Sequence, residues 1–295
     1  MILSERDYYL GFSVFSDFGP VIFKQFLNYF GSAKAAWMAN ARELQKINLK
    51  SQLIAKFSKF RSEFAFNSFL MDLKNKNINF IVPADPGFPD LLKEIPDCPI
   101  VLYFRGNIDY FSDKNLKIGI VGTRTMTVYG RQSTISIVTQ LIRKKLTIVS
   151  GMAAGIDTVA HQTTLDNFGI TIAVLGCGID KVYPASNYGL YWSIIKKGLV
   201  VSEYPPGVLP SRSSFPLRNR IISGLSNCIV VVEGRNKSGA LITAKYAADQ
   251  GRDVFAVPGP INSPTSEATS FLIKNGAAIA TSANDILESI NTSGH

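Results

Sequence analysis

The chain has 295 residues, of which 46% are hydrophobic and 18% charged, so it can bury a sizeable core and is not a disordered tail. Lys and Arg number 31 against 22 Asp and Glu, and the net charge of +9 favours an anionic partner (nucleic acid or a membrane surface), although a basic enzyme without such a partner fits equally well. No apolar stretch reaches the roughly 20 residues of a spanning helix, and the three cysteines have no paired spacing; this excludes membrane insertion and a disulfide scaffold and favours the cytoplasm.

The first 80 residues have the pattern of a small, Phe-rich helical domain. They hold 12 of the 19 phenylalanines and a single proline, Pro20. Apolar residues recur at intervals of three and four over 21–30, before Gly31, and again over 53–73. Eleven Lys and Arg against six Asp and Glu are compatible with a module that binds nucleic acid or a protein. For any single residue, however, a phenylalanine-packed core with solvated lysines outside is the better interpretation.

The rest of the chain has the pattern of an α/β domain. Residues 78–98 form a Pro- and Asp-rich connection, after which short β-branched runs alternate with helical patterns. This alternation predicts a doubly wound, mostly parallel sheet with helices on both faces, over residues 81–290. Residues 291–295 are expected to be a frayed C-terminus. The predicted strands are 100–104, 117–122, 146–150, 170–175, 199–202, 228–233 and 254–258.

Clusters of glycine and hydroxyl residues follow five of these strands. In a doubly wound sheet, ligands bind beyond the carboxyl ends of the strands, where helix N-termini attract phosphate. Any one cluster is explained by ordinary turn and cap chemistry, but five on the same edge favour a binding site. The clusters are residues 122–130, 150–157, 176–187, 202–207 and 238–244.

The common nucleotide-binding and catalytic signatures are missing. No segment fits GxxxxGK[ST], and the turn that begins at Gly122 lacks GxGxxG, which disfavours a P-loop hydrolase and a dinucleotide oxidoreductase. His161 lies four residues after Asp157, so a helix would place both on one face. Without an elbow-type serine, a helix-stabilising hydrogen bond is the better interpretation of this pair. One internal histidine and scattered carboxylates also do not indicate a metal site.

The strongest signal for nucleic acid is the segment 204–232, which contains no acidic residue. It carries Arg212, Arg218 and Arg220 around Phe215, which is expected in a loop. Arginines neutralise phosphates, and an exposed aromatic ring can stack on a base.

The opposing interpretation places the Phe215 ring in the core and pairs the arginines with Glu203 or Glu233. DNA binding is favoured, because three arginines without local acids are hard to satisfy inside a protein.

Eight segments in order over residues 90–290 resemble the DNA processing protein A (DprA, also called Smf) family of bacteria. The resemblance implies a Rossmann-like domain that binds single-stranded DNA and forms a homodimer, preceded by a small SAM-like helical domain. It implies no cofactor and no catalysis; family members protect incoming DNA during natural transformation and help load RecA. The segments are GTRTMTVYG, SGMAAGID (with His161), GCGIDKVYP, SEYPPG, SFPLRNRIISGL, VVEGRNKSGALITA, DQGRDVFAVPG and LIKNGA.

The resemblance also assigns site residues. Arg124 and Arg212 match the family's main DNA-contacting basic positions, with Arg212 standing where a lysine is common. Phe215 matches a base-stacking aromatic. The RNR signature, expected to support the same pocket, is Arg218, Asn219 and Arg220. Backbone and hydroxyl groups for phosphate are expected from Gly122, Thr123, Ser150, Gly151 and Ser238.

Two departures from the family pattern and two other functions stay open. The stretch Glu267–Ser270 differs from the residues usual in the family, in a region through which family members self-associate, so the mode of dimerisation stays open. No winged-helix domain is expected after residue 290. The first alternative function is a nucleotide-processing enzyme resembling the phosphoribohydrolases, although their PGGxGTxxE signature is replaced by EGRNKSGAL from Glu233. The second is an interaction protein whose positive face binds an acidic partner.

Overall fold

A computed structural model of the chain describes residues 3–112 and 116–292. Within these residues a group of helices precedes a nine-stranded sheet that carries helices on both faces. No helix in this part of the chain is long and apolar enough to cross a membrane. Of the predicted frayed end, residues 291 and 292 close the last helix, and 293–295 lie outside the described residues.

The N-terminal helices surround a cluster of aromatic rings. Phe12, Phe26 and Phe57 are fully buried, and the Phe12 and Phe57 rings stack with centroids 5.4 Å apart. The predicted helix over 21–30 is confirmed, whereas the run 53–73 forms two helices rather than one. The six helices are α1 (Glu5–Val14), α2 (Pro20–Phe30), α3 (Ala33–Met38), α4 (Ala41–Gln45), α5 (Ser51–Glu63) and α6 (Phe66–Asn75).

This helical group shares a core with the sheet. Phe12 and Phe26 belong to the same buried cluster as Tyr103 and Val200, which lie in neighbouring strands. The Tyr103 hydroxyl also lies 2.7 Å from the Ser13 hydroxyl of α1. The helices therefore cover one end of the sheet.

The sheet is mostly parallel, which confirms the predicted class. Its order is β1-β2-β6-β5-β4-β3-β7-β8-β9, with β1 and β2 antiparallel to their neighbours. The first strand lies within the predicted connection 78–98 and includes residue 80, the predicted division between domains. The strands are β1 (Asn79–Ile81), β2 (Leu102–Gly106), β3 (Lys117–Val121), β4 (Thr147–Ser150), β5 (Thr171–Leu175), β6 (Leu199–Ser202), β7 (Cys228–Val231), β8 (Asp253–Ala256) and β9 (Ala278–Ile279).

The strands are buried on both faces, which explains their continuous β-branched sequences. Successive side chains point to opposite sides, so Ile118 and Ile120 pack in one layer and Val121 in the other. The layers are covered by α7 (Asp90–Lys93), α8 (Asp109–Ser112), α9 (Val128–Arg143), α10 (Ile156–Asp166), α11 (Tyr188–Lys197), α12 (Ser214–Gly224), α13 (Gly239–Asp249), α14 (Glu267–Lys274) and α15 (Ala283–Thr292).

The strand order reverses at β3. From β3 the chain winds through β4 and β5 to β6 on one side, and through β7, β8 and β9 on the other. Ligands of such sheets bind in the crevice at this reversal, beyond the carboxyl ends of the strands. The loops after β3 and β7 therefore border the expected ligand site.

Candidate nucleic-acid interface

A cavity of about 610 Å³ lies at this reversal of strand order. It is lined by the turn after β3, the loop after β7, and the first turns of α12 and α13. Arg124, Arg212 and Phe215, which are far apart in sequence, all line it. We call this cavity the crevice.

The turn after β3 presents Arg124 to solvent. The Thr123 N–H donates to the Glu233 carbonyl over 2.8 Å, and the Thr123 carbonyl accepts the Ile156 N–H over 3.2 Å. Thr127 then caps α9 by accepting the Gly130 N–H over 3.1 Å. The turn is thus fastened on both sides, while the Arg124 side chain is exposed at its tip.

Phe215 lies in the first turn of α12 and not in a loop as predicted. Its half-buried ring rests on Gly176, where an added Cβ would lie 2.8 Å from ring atom Cδ1. The Tyr183 ring packs beside it, with centroids 5.2 Å apart and planes inclined by 35°. The Arg124 guanidinium carbon lies 5.1 Å from the Phe215 centroid, within cation–π range. A rigid helix therefore presents the ring beside a cation.

Arg218 lies at the floor of the crevice. It is 3% exposed, and its guanidinium donates to the carbonyl oxygens of Gly151 and Val174. Burial lowers the pKa of Arg218 to about 10 against the opposing effect of Asp157, so the group stays charged at neutral pH. Arg218 therefore fixes the turn after β4 and adds positive charge beneath the cavity.

Asp157 lies on the other side of that turn. Its carboxylate accepts the N–H groups of Gly151 over 3.1 Å and Ala153 over 3.3 Å. Burial raises the pKa of Asp157, and the Arg218 charge acts in the opposite direction. These contacts occupy the Gly151 N–H, which was predicted to bind phosphate.

Arg220 is used inside the protein. It is 3% exposed; its Nε lies 2.8 Å from an Asp97 oxygen and its Nη2 lies 2.6 Å from a Glu203 oxygen. The expectation that arginines of this segment lack internal partners is wrong for Arg220, which pairs with Glu203, as the opposing interpretation stated, and also with Asp97 from a distant part of the chain. Arg220 does not line the crevice.

The other predicted residues divide into two groups. The Ser150 hydroxyl is fully buried and donates to the Ile120 carbonyl over 2.6 Å, so it does not face the crevice as expected. Asn219 lines the crevice and donates to the Gly239 carbonyl over 3.2 Å, which ties α12 to the start of α13. The remaining crevice-lining members of the predicted set are Gly122, Thr123 and Ser238.

The loop after β7 contributes residues that sequence reasoning missed. Arg235, Asn236 and Lys237 are exposed and line the crevice, as does Tyr183. The sequence did contain a signal for the three loop residues, because in EGRNKSGAL two basic residues flank an asparagine shortly after a predicted strand. Among the described residues that line the crevice, Asp157 is the single carboxylate.

The start of α14 supports this loop from behind. The Glu267 carboxylate accepts the Asn236 N–H over 2.8 Å, and the Ala268 N–H donates to the Gly234 carbonyl over 2.9 Å. Ala268 is fully buried. Glu267 and Ala268, which belong to the stretch that departs from the family pattern, therefore make contacts within this chain.

The predicted Asp157–His161 pair is not formed. His161 is fully buried, and its Nδ1 lies 2.7 Å from the Thr171 hydroxyl, which itself donates to the Ile148 carbonyl. Burial, reinforced by the Arg218 charge, lowers the pKa of His161 to about 3. The imidazole is therefore neutral and structural.

Glu233, the residue on which a phosphoribohydrolase would depend, is 3% exposed. Its carboxylate accepts hydrogen bonds from the Thr127 N–H, the Thr127 hydroxyl and the Thr265 hydroxyl, over 2.9, 2.5 and 3.1 Å. It does not line the crevice. Across residues 3–112 and 116–292, no group of three or more His, Cys, Asp or Glu side chains is arranged to hold a metal ion.

Comparison with known proteins gives consistent matches. Residues 79–291 match the family model of DNA recombination-mediator protein A. Protein Smf of Synechocystis is 42% identical over 293 residues, which cover 98% of this chain and 74% of that protein. The X-ray structure of DprA from Streptococcus pneumoniae superposes with a TM-score of 0.85, at 35% identity and 98% coverage of both chains.

A second solved structure, of DprA from Helicobacter pylori, was described for its single-stranded DNA binding mode. It superposes with a TM-score of 0.66 at 28% identity, covering 74% of this chain and 97% of that one.

Proposed function

This chain belongs to the DNA recombination-mediator protein A family, and from that premise we propose that its crevice binds single-stranded DNA. The observation that carries the proposal is the convergence of Arg124, Arg212 and Phe215 on one cavity. The single-stranded DNA binding mode of the Helicobacter pylori relative supports it.

The charge of the crevice fits a phosphate backbone. Four exposed cations line it, and the single carboxylate among the described lining residues is the buried Asp157 beside Arg218. Binding by such a surface depends on backbone charge and shows little sequence preference. The exposed cations are Arg124, Arg212, Arg235 and Lys237.

The aromatic ring selects single strands. Phe215 can stack on a base only when that base is unpaired and turned outward, because a duplex keeps its bases stacked on one another. A ring on the first turn of a helix, fixed against Gly176, is already oriented for this contact.

Family membership supports a wider role. We propose that the chain is a non-enzymatic recombination mediator in the cytoplasm, which protects incoming strands during natural transformation and passes them to RecA. We also propose that it works as a homodimer. The free thiols of Cys98, Cys177 and Cys228 are consistent with a reducing compartment.

The central experiment is binding of a labelled oligothymidylate by fluorescence anisotropy. The double variant Arg124→Glu and Arg212→Glu is expected to abolish binding at physiological salt. The matched control is Arg143→Glu with Lys144→Glu, an equal charge change near the far end of α9, about 24 Å along a 16-residue helix. Equal binding by the double variant and the wild-type chain would refute the site.

The finer roles need separate measurements. If the chain passes DNA to RecA, its addition is expected to accelerate RecA filament formation on single strands, and the double variant is expected to have no such effect. If it dimerises, light scattering is expected to give twice the mass of one chain. A monomer at micromolar concentration would refute the dimer and leave the DNA site untouched.

A further inference from the structure

The outer face of α11 carries an aromatic and basic stripe that the crevice does not include. Tyr188, Trp192 and Lys196 follow one another at intervals of four residues, so they line one side of the helix over about 12 Å. Tyr188 is 59% exposed and Trp192 is 40% exposed. We call these three residues the α11 stripe.

The opposite side of α11 anchors the helix in the core and so fixes the position of the stripe. Tyr191 and Ile194 are buried in the core shared with the N-terminal helices. The Tyr191 ring packs edge-on against Trp192 at 5.4 Å, and the Arg105 guanidinium carbon lies 5.7 Å from the Trp192 ring. Arg105 is itself fixed by the Tyr191 hydroxyl at 2.9 Å. The aromatic surface is thus preorganised, not a pair of loose side chains.

The stripe begins five residues after Tyr183, which lines the crevice. Tyr183 lines the crevice and packs on Phe215, and a single 3-10 turn, Ala185–Asn187, connects it to Tyr188 at the start of α11. The chain therefore leads from Tyr183, beside the Phe215 ring, directly onto the helix.

The charge along this path suits the same ligand. Residues 181–202 contain no acidic residue; Lys196 is exposed and Lys181 is half-buried. Asp180, the acid just before this segment, lies 3.8 Å from the Lys181 ammonium and accepts the Gly207 N–H over 2.8 Å. Aromatic rings beside basic side chains are the arrangement on which successive bases stack without sequence readout.

We propose that a single DNA strand leaving the crevice continues across the α11 stripe, with bases stacked on Tyr188 and Trp192 and a phosphate near Lys196. This inference rests on the proposed function and extends it, because it lengthens the DNA footprint beyond the crevice. It makes the affinity depend on strand length through these particular side chains.

Tryptophan emission tests the contact directly. The chain has two tryptophans, and Trp37 is 5% exposed in the core of the N-terminal helices, so a change on DNA binding reports Trp192. An oligothymidylate of about 16 nucleotides is expected to quench the emission, and one of about 4 to quench it little, these being the limits of usual site sizes. Trp192→Phe is expected to abolish the quenching.

Affinity as a function of length gives a second readout. Trp192→Ala with Tyr188→Ala is expected to weaken binding of the longer strand at least about 5-fold, the lower end for one lost base stack, and to leave the shorter one unchanged. The control is Tyr29→Ala, which removes a 50% exposed ring from α2. Circular dichroism checks that each variant folds.

The outcomes separate this inference from the proposed function. If the wild-type chain binds both strands but Trp192 emission and the variant affinities do not change, the extended path is wrong and the stripe is left for a protein partner. If the wild-type chain binds neither strand, the proposed function itself fails. Quenching by the longer strand together with a length-dependent loss supports the path.

Discussion

The charges that line the crevice predict how DNA affinity depends on salt. This dependence distinguishes the contribution of the cations from that of the Phe215 ring. Each phosphate neutralised on a single strand contributes a slope of about −0.7 in the plot of log affinity against log salt. The four exposed cations are Arg124, Arg212, Arg235 and Lys237. If each meets one phosphate, the crevice contributes a slope of about 4 × −0.7, or about −2.8.

Single substitutions then give distinct results. Arg124→Gln or Arg235→Gln is expected to make the slope shallower by about 0.7. Phe215→Ala removes no charge, so it is expected to lower affinity by about 1–3 kcal/mol at every salt concentration and to leave the slope unchanged. Arg143→Gln, an exposed arginine in the last turn of α9, is expected to change neither quantity.

The assay is anisotropy of a labelled oligothymidylate of about 5 nucleotides, whose phosphodiesters match the four cations in number and which is short enough to report mainly on the crevice, at four or five salt concentrations. A slope that is the same in Arg124→Gln, Arg235→Gln and the wild-type chain would show that these cations do not meet phosphate. Full affinity in a folded Phe215→Ala variant would show that the ring only fills space between Gly176 and Tyr183.

Three further predictions follow from buried contacts. Gly176→Ala is expected to weaken DNA binding without altering the salt slope, because its Cβ would lie 2.8 Å from the Phe215 ring and displace it; unchanged affinity would contradict this. Arg220→Met is expected to lower the free energy of unfolding by about 3–5 kcal/mol in urea titrations, since two carboxylates lose their buried partner; a loss below about 1 kcal/mol would be inconsistent with a buried pair. Burial lowers the pKa of His161 to about 3 in the folded state, against about 6.5 for an unperturbed imidazole, so the unfolded state binds the extra proton. Stability therefore falls as pH drops from about 6.5 towards 3, by up to about 1.4 kcal/mol per pH unit. His161→Gln is expected to remove that part of the pH dependence, measured as urea midpoints at pH 7 and pH 5.

Local sequence pattern was sufficient to predict the α/β class, because strands that are buried on both faces consist of continuous runs of β-branched residues. It was insufficient for β1, β9 and α7, which have two to four residues and show no periodicity. It also misjudged the setting of Phe215, since the helix that begins at Ser214 has Pro216 in its first turn. Proline is tolerated at the start of a helix but resembles a loop signal in sequence.

Local sequence pattern was enough for the fold class, and together with the family resemblance it named Arg124, Arg212 and Phe215 as candidates. Which polar groups are free to meet a ligand depends on tertiary contacts. Arg220 pairs with Glu203 and also with Asp97, 123 positions earlier, and the Ser150 hydroxyl donates to a carbonyl of a neighbouring strand. Tyr183 joins the site because a separate loop brings it onto Phe215. The physical reason is that hydrogen-bond and ion-pair partners of buried groups come from segments distant in sequence, whereas strand and helix periodicity is local.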